Sequence, residues 1–211
     1  SFLEQRFGVW SAMGGTGSIV KGMAGLIEGQ GGKIECNAEV EEILVEEGAV
    51  RGVRLADGRT LHSDLVVSNA DAAWTYRHLI KAKHRKRWTD RKIDRSHFSN
   101  GLFVWYFGTK GQYPDVPHHS VILGPRYKGL LDDIFKRKVL ADDFSLYLHR
   151  PTETDPSLAP EGCDTFYALA PVPHLDADVD WPTYAETFKE RICQRLEETM
   201  LPGLRDRIVT S

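Results

Sequence analysis

The stretch from Ala49 to His62 constrains the fold more than any other part of the chain. Ala49-Val50-Arg51-Gly52-Val53-Arg54-Leu55 alternates, Ala56-Asp57-Gly58-Arg59 turns, and Thr60-Leu61-His62 starts back. Asp-Gly between two such runs is a strong hairpin signal, because glycine accepts the positive φ of a tight turn. Strands are also expected at Lys33–Cys36 and Val40–Val45. Leu65-Val66-Val67 suits a buried strand. It ends at Ser68-Asn69-Ala70-Asp71, on the carboxyl edge where open α/β sheets bind ligands. Asn69 and Asp71 are therefore candidate ligand contacts, although Asx residues also serve turns there. Upstream, the Gly14-Gly15-Thr16-Gly17 turn leads into a helix carrying Ile19, Val20, Met23, Leu26 and Ile27, which Gly29 to Gly32 close.

From Ala72 to Arg95 the chain is expected to be mostly helical. Three aromatic-rich strands follow, at 101–108, 144–149 and 165–170, separated by proline-bearing loops, and they predict a second sheet. A helix is expected from Pro182 to Met200, with Pro202-Gly203 beyond its end. The class is α/β with mixed α and β parts, divided at residues 1–75 and 76–211. In the strand at 101–108, Phe103, Trp105 and Phe107 share one face and Val104 and Tyr106 the other.

The charge and residue inventory excludes several functions. A net charge of -3 over 211 residues gives no global attraction to nucleic acid. No apolar run approaches the ~18 residues of a spanning helix, and no signal peptide is visible. Cys36, Cys163 and Cys193 lie far apart without a CxxC pair, so no disulfide framework is expected and a reducing cytosol is the default. His118 and His119 are adjacent and His149 and His174 sit at strand ends, but no HxH or HExxH spacing occurs, and no metal site is expected. The segment Arg77–Arg95 is dense in Lys and Arg, with Trp88 inside it. That composition suits either an anionic membrane surface or a solvated helix.

The order of turn, helix, Asn37-Ala38-Glu39-Val40, hairpin and Ser68-Asn69-Ala70-Asp71 resembles the amine-oxidase and carotenoid-desaturase flavoproteins. Gly124-Pro125-Arg126-Tyr127, Ala141 to His149, Thr154 to Pro160 and Leu169 to Leu175 resemble bacterial-type phytoene desaturases in particular. The resemblance implies a Rossmann-like FAD domain, represented in part by residues 1–75, and a mixed-sheet substrate domain in residues 76–211. It implies dehydrogenation of a C40 carotenoid with hydride passing to FAD. An isomerase or ketolase on the same scaffold, or a non-catalytic lipid- or partner-binding module, stays open.

Val40 matches the position whose backbone meets adenine in that family, and Asn69 and Asp71 would lie near the cofactor. Phe103, Trp105, Phe107 and His149 are expected to line the hydrophobic substrate. A cytoplasmic protein peripheral to the inner face of the cell membrane is implied, with Arg77–Arg95 on anionic lipid. The family's strand-GxGxxG-helix unit does not occur in these 211 residues, and the first residue is Ser1. The chain is thus expected to be an internal piece that binds FAD weakly or not at all and is inactive alone.

Overall fold

The computed structural model of the protein describes residues 2–211. Helices α1 (Phe2–Phe7) and α2 (Thr16–Gly29) come first. Strands β1 (Val40–Glu46), β2 (Ala49–Leu55) and β3 (Thr60–His62) form an antiparallel sheet in that order. Short helical pieces follow: α3 (Ala72–Trp74), a π-helical turn at Thr75–Leu79, a 3-10 turn at Ala82–His84 and α4 (Asp90–Asp94). The second sheet contains β4 (Gly101–Lys110), β5 (His119–Ile122), β6 (Leu146–His149) and β7 (Cys163–Val172), with α5 (Tyr127–Asp132) between β5 and β6. Helices α6 (Trp181–Thr199) and α7 (Leu204–Arg207) precede the last strand, β8 (Ile208–Thr210). Its strand order is β5-β6-β7-β4-β8, every pair antiparallel.

The chain divides into two compact units, one of residues up to Leu26 with Phe98–Ser211, the other Ile27–His97. The division expected between residues 75 and 76 thus falls inside the smaller unit. Side chains beyond residue 75 stay with the hairpin: Lys81 pairs with Glu42 of β1 at 2.6 Å, and Tyr76 stacks on Trp88. In the larger unit, the Gly14 amide donates to the carboxylate of Asp155 at 2.6 Å and ties the amino-terminal stretch to the second sheet's loops.

Most expected elements form, with three departures. Lys33–Cys36 and Leu65–Val67 form no strand. Leu65 and Val67 are exposed, so the apolar run has no sheet to join among the described residues. The 72–95 stretch is broken rather than one helix, because Ile80 adopts extended backbone and closes the first helical piece.

The core of the larger unit follows from period-2 burial against a period-3.6 stripe. Every second residue of β7 is buried, including Phe166, Ala168, Ala170 and Val172. Phe188, Ile192, Cys193 and Leu196 form the buried stripe of α6 and pack in the same core cluster as Trp105 and Phe107 of β4 and Leu146 and Leu148 of β6. Each such side chain contributes about 1.5–3 kcal/mol on burial. Proline in the first turn of α6 supplies a preset φ where no hydrogen bond is lost.

One ion pair is buried at the edge of this core. Arg150 donates to Asp164 at 3.0 Å and to the Val116 carbonyl at 2.8 Å. Asp164 also accepts from the Tyr113 amide and the Thr152 hydroxyl, so its charge is fully partnered. The pair fixes the loops that flank β5 and β6.

Candidate functional site

Because one face of the second sheet packs on α6, the residues of opposite parity form its other face. Register aligns four of them in one row across the strands: His119 opposite His149, His149 opposite Tyr167, and Tyr167 opposite Tyr106. The next row is Val121, Tyr147, Leu169 and Val104. The rings are in contact, with centroids 4.5 Å apart for His149 and Tyr167 and 5.5 Å for Tyr106 and Tyr167.

A cleft of about 640 Å³ lies over the first row. Tyr106, Tyr147, Tyr167 and the three histidines 118, 119 and 149 form its floor, and Val9, Trp10, Ala12 and Ile19 line it from the amino-terminal stretch. That stretch is anchored through Asp155, whose carboxyl is held below the usual range first by the Ser157 hydroxyl and then by the Gly14 amide. None of the described residues lining the cleft is Asp, Glu, Lys or Arg.

The polar end of the cleft is a histidine cluster. His118 Nε2 lies 2.8 Å from His149 Nε2, His118 Nδ1 meets the Thr154 hydroxyl, and His119 Nδ1 lies 2.6 Å from the Tyr147 hydroxyl. The buried Nδ1 of His149 has no hydrogen-bond partner. Burial, then the neighbouring His118 and His119, push the His149 imidazole down to about 4. Burial first, and His119 next, also lower His118. Burial and the adjacent Tyr167 raise the Tyr147 phenol to about 12. His149 and Tyr147 are consequently neutral at pH 7. The floor can hold a flat apolar molecule without desolvating a charge.

This arrangement redistributes the residues expected from the sequence. His149 lies in the cleft. Phe103, Trp105 and Phe107 do not: Trp105 and Phe107 are buried, and Phe103 packs on Trp181 and Phe188 of α6. The strand was divided into the right two faces, but α6 covers the one expected to line a substrate. Tyr147, Tyr167, His118 and His119 also line the cleft and were not among the expected lining residues, whereas Tyr106 was placed on the strand face opposite Phe103, Trp105 and Phe107. The signal for Tyr106, Tyr147, Tyr167 and His119 was shared parity within strands, which aligns them only once the register is known, while His118 lies just before β5 and had no such signal.

The expected cofactor contacts lie in the smaller unit. Val40 opens β1, an edge strand whose outer row of backbone groups has no strand partner in this sheet. Asn37, at φ 56°, makes the left-handed turn that precedes it. Asp71 caps α3 by accepting from the Trp74 amide at 2.8 Å, which is turn chemistry, and Asn69 is exposed nearby in sequence.

The segment 77–95 is less free than its composition suggests. Arg77 pairs with Asp94, Lys81 with Glu42, and Arg85 with Asp90 at 2.6 Å. Lys83, Lys86 and Arg87 remain exposed around a second cleft, with Tyr76 and Trp88 in its wall.

Comparison with known proteins gives a consistent family. The profile of Flavin containing amine oxidoreductase matches residues 2–199. The chain is 54% identical over 213 residues to a phytoene desaturase (neurosporene-forming) of Cereibacter sphaeroides, covering 99% of this chain and 41% of that protein. It is 49% identical to a phytoene desaturase (lycopene-forming) of Pseudescherichia vulneris, covering 99% of this chain and 42% of that one. An oxidoreductase structure from Methanosarcina mazei shares the fold, with a TM-score of 0.64 at 24% identity over 90% of this chain and 40% of that chain. The chain spans about two-fifths of the length of the curated relatives it matches.

Proposed function

Because the chain belongs to the family of flavin containing amine oxidoreductases, we propose that it forms the substrate-facing part of an FAD-dependent carotenoid desaturase of the phytoene type. The observation that carries this reading is the uncharged aromatic floor of the cleft, Tyr106, Tyr147, Tyr167 and His149. A hydrocarbon polyene offers no hydrogen-bonding handle, so its affinity must come from apolar area and shape. FAD, when bound, supplies the acceptor for the hydride that dehydrogenation removes. The residues of this chain hold the polyene flat, exclude water and keep charge away from it. The backbone of Val40 would meet the adenine edge, with Asn69 and Asp71 near the cofactor. Names of close relatives support the same reading.

In a bacterial host that accumulates phytoene, the intact protein is expected to yield coloured, more conjugated products. Unchanged phytoene in cells containing flavin-loaded protein would count against the reading.

The substrate is a membrane-dissolved hydrocarbon, and the free cations of the Arg77–Arg95 segment suit the membrane surface that holds it. Among the described residues, no helix is long and apolar enough to cross a membrane. Lys83, Lys86 and Arg87 face outward beside Trp88, the composition that anionic headgroups attract at about 1 kcal/mol per cation. These features support a peripheral position at the cytoplasmic face of the cell membrane. Flotation with vesicles containing phosphatidylglycerol should carry the protein upward, and the triple change Lys83→Glu, Lys86→Glu, Arg87→Glu should leave it in the lower fraction. Equal flotation of both proteins would remove the segment from that role.

A further inference from the structure

The histidine cluster at the polar end of the cleft has a second capability that linear spacing conceals. His118 and His119 lie at the entry to β5, and His149 ends β6; antiparallel register sets His119 directly opposite His149. Each of the three rings offers a nitrogen within 4.8 Å of the others, and the closest pair is 2.8 Å apart. Zinc-nitrogen bonds of about 2.0–2.1 Å at tetrahedral angles need nitrogens about 3.3 Å apart, which lies between those two distances.

Two further features match what metal-ligating histidines require. A ligating imidazole commonly engages its other ring nitrogen with a polar group, which fixes tautomer and orientation. His118 has that partner in the Thr154 hydroxyl and His119 in the Tyr147 hydroxyl, both through Nδ1; this leaves the His119 Nε2 for a metal, while the His118 and His149 Nε2 atoms would exchange their mutual 2.8 Å contact for it. The buried His149 Nδ1 has no hydrogen-bond partner, and its ring packs on Tyr167 with centroids 4.5 Å apart. The backbone beneath is fixed, since the Arg150 amide donates to the His118 carbonyl at 2.9 Å and the Arg150 side chain sits in the buried pair with Asp164. The three rings also open into the cleft, which leaves space for a fourth, exchangeable ligand.

We propose that His118, His119 and His149 form a binding site for one divalent transition-metal ion of the zinc class, coordinated by three imidazoles with a fourth position open to the cleft. Three neutral nitrogen ligands of this kind select zinc, copper or nickel over magnesium or calcium, which prefer oxygen. The site rests on side-chain geometry rather than on the desaturase reading, and because a bound dication would put charge on the floor that reading takes as uncharged, the two compete for this end of the cleft. The absence of HxH or HExxH spacing does not argue against it, since two of the ligands come from one strand's start and the third from its neighbour.

Calorimetric titration of the chelator-treated chain with zinc chloride tests the proposal without any activity assay. One equivalent should bind saturably, and magnesium chloride should give no heat. His118→Ala and His149→Ala should each weaken binding about 100-fold, at or beyond the upper end of what loss of an outer partner costs. Thr154→Val should weaken it about tenfold. His97→Ala, an exposed histidine outside the cluster, should match the unmodified chain. Should the half-buried His149→Ala chain lose its circular dichroism spectrum, the exposed His119→Ala decides in its place. No saturable zinc uptake, or uptake unchanged in the His118, His119 and His149 variants, would overturn the proposal.

Discussion

Trp105 and Tyr106 are neighbours in sequence with opposite duties, and the contrast is measurable. Trp105 is buried in the core and stacks on Phe107 at 4.3 Å, so Trp105→Ala should lower the unfolding free energy by about 3–5 kcal/mol in urea titrations. Tyr106 is 67% exposed on the cleft floor, so Tyr106→Ala should change stability by no more than about 0.5 kcal/mol. Its effect should instead be on ligand: the intact protein should hold carotenoid roughly tenfold more weakly, from the loss of about 1.4 kcal/mol of aromatic contact. Equal destabilisation by both changes would mean that both faces are covered, and reversed values that the two faces have been exchanged. Arg150 poses a sharper case, since Arg150→Ala leaves Asp164 charged and buried. Loss of about 3–5 kcal/mol is expected in the same titration, far above the effect of removing an exposed ion pair.

At the scale of elements, the three-stranded sheet depends on a close approach at Gly52. Its φ is +132°, and a Cβ there would collide with the Leu61 carbonyl oxygen of β3. Gly52→Ala should therefore detach β3 from β2 and raise amide exchange across Thr60–His62 without unfolding β4–β7. The same sheet carries a pH response through Glu42, which the Lys81 hydrogen bond, opposed by burial and aided by Arg54, holds below its ordinary 4.5. A depressed carboxylate adds stability above its unfolded value and loses it as pH falls through the folded one. The smaller unit should accordingly weaken below about pH 4.5, and Glu42→Gln should flatten that part of the curve. The β2–β3 hairpin and strands β4 and β7 were legible in the sequence because turn chemistry and period-2 alternation are local. The identity of the covered face was not, since Phe103 and Tyr106 are both aromatic and only α6, some 75 residues on, decides between them. Leu65–Val67 misled for the related reason that an apolar run signals burial, while a strand also needs a neighbour. The histidine cluster was illegible because register, a tertiary property, joins His119 to His149.

For the molecule as a whole, the decisive property is whether these 211 residues hold FAD. A dinucleotide's strongest anchor is its pyrophosphate, bound by free amides at a helix N-terminus after a glycine-rich turn. The chain has one glycine-rich turn leading into a long helix, Gly14-Gly15-Thr16-Gly17, whose last two residues open α2, and its spacing is wrong for that role. The structure adds a stronger objection: the Gly14 amide already donates to the Asp155 carboxylate, whose proton affinity is lowered first by the Ser157 hydroxyl and then by that bond. A fixed negative charge therefore sits against the turn and repels phosphate. The adenine contact proposed at Val40 would not replace it, because one pair of neutral backbone hydrogen bonds contributes only about 1–3 kcal/mol net. Purified chain mixed with excess FAD and then desalted should emerge colourless, with no flavin absorption above baseline. A retained flavin spectrum would require an anchor elsewhere in the chain. Asp155→Asn then separates the causes: flavin gained only in that variant would identify the carboxylate as the barrier, whereas two colourless proteins would assign the missing affinity to the GxGxxG unit that this sequence does not contain.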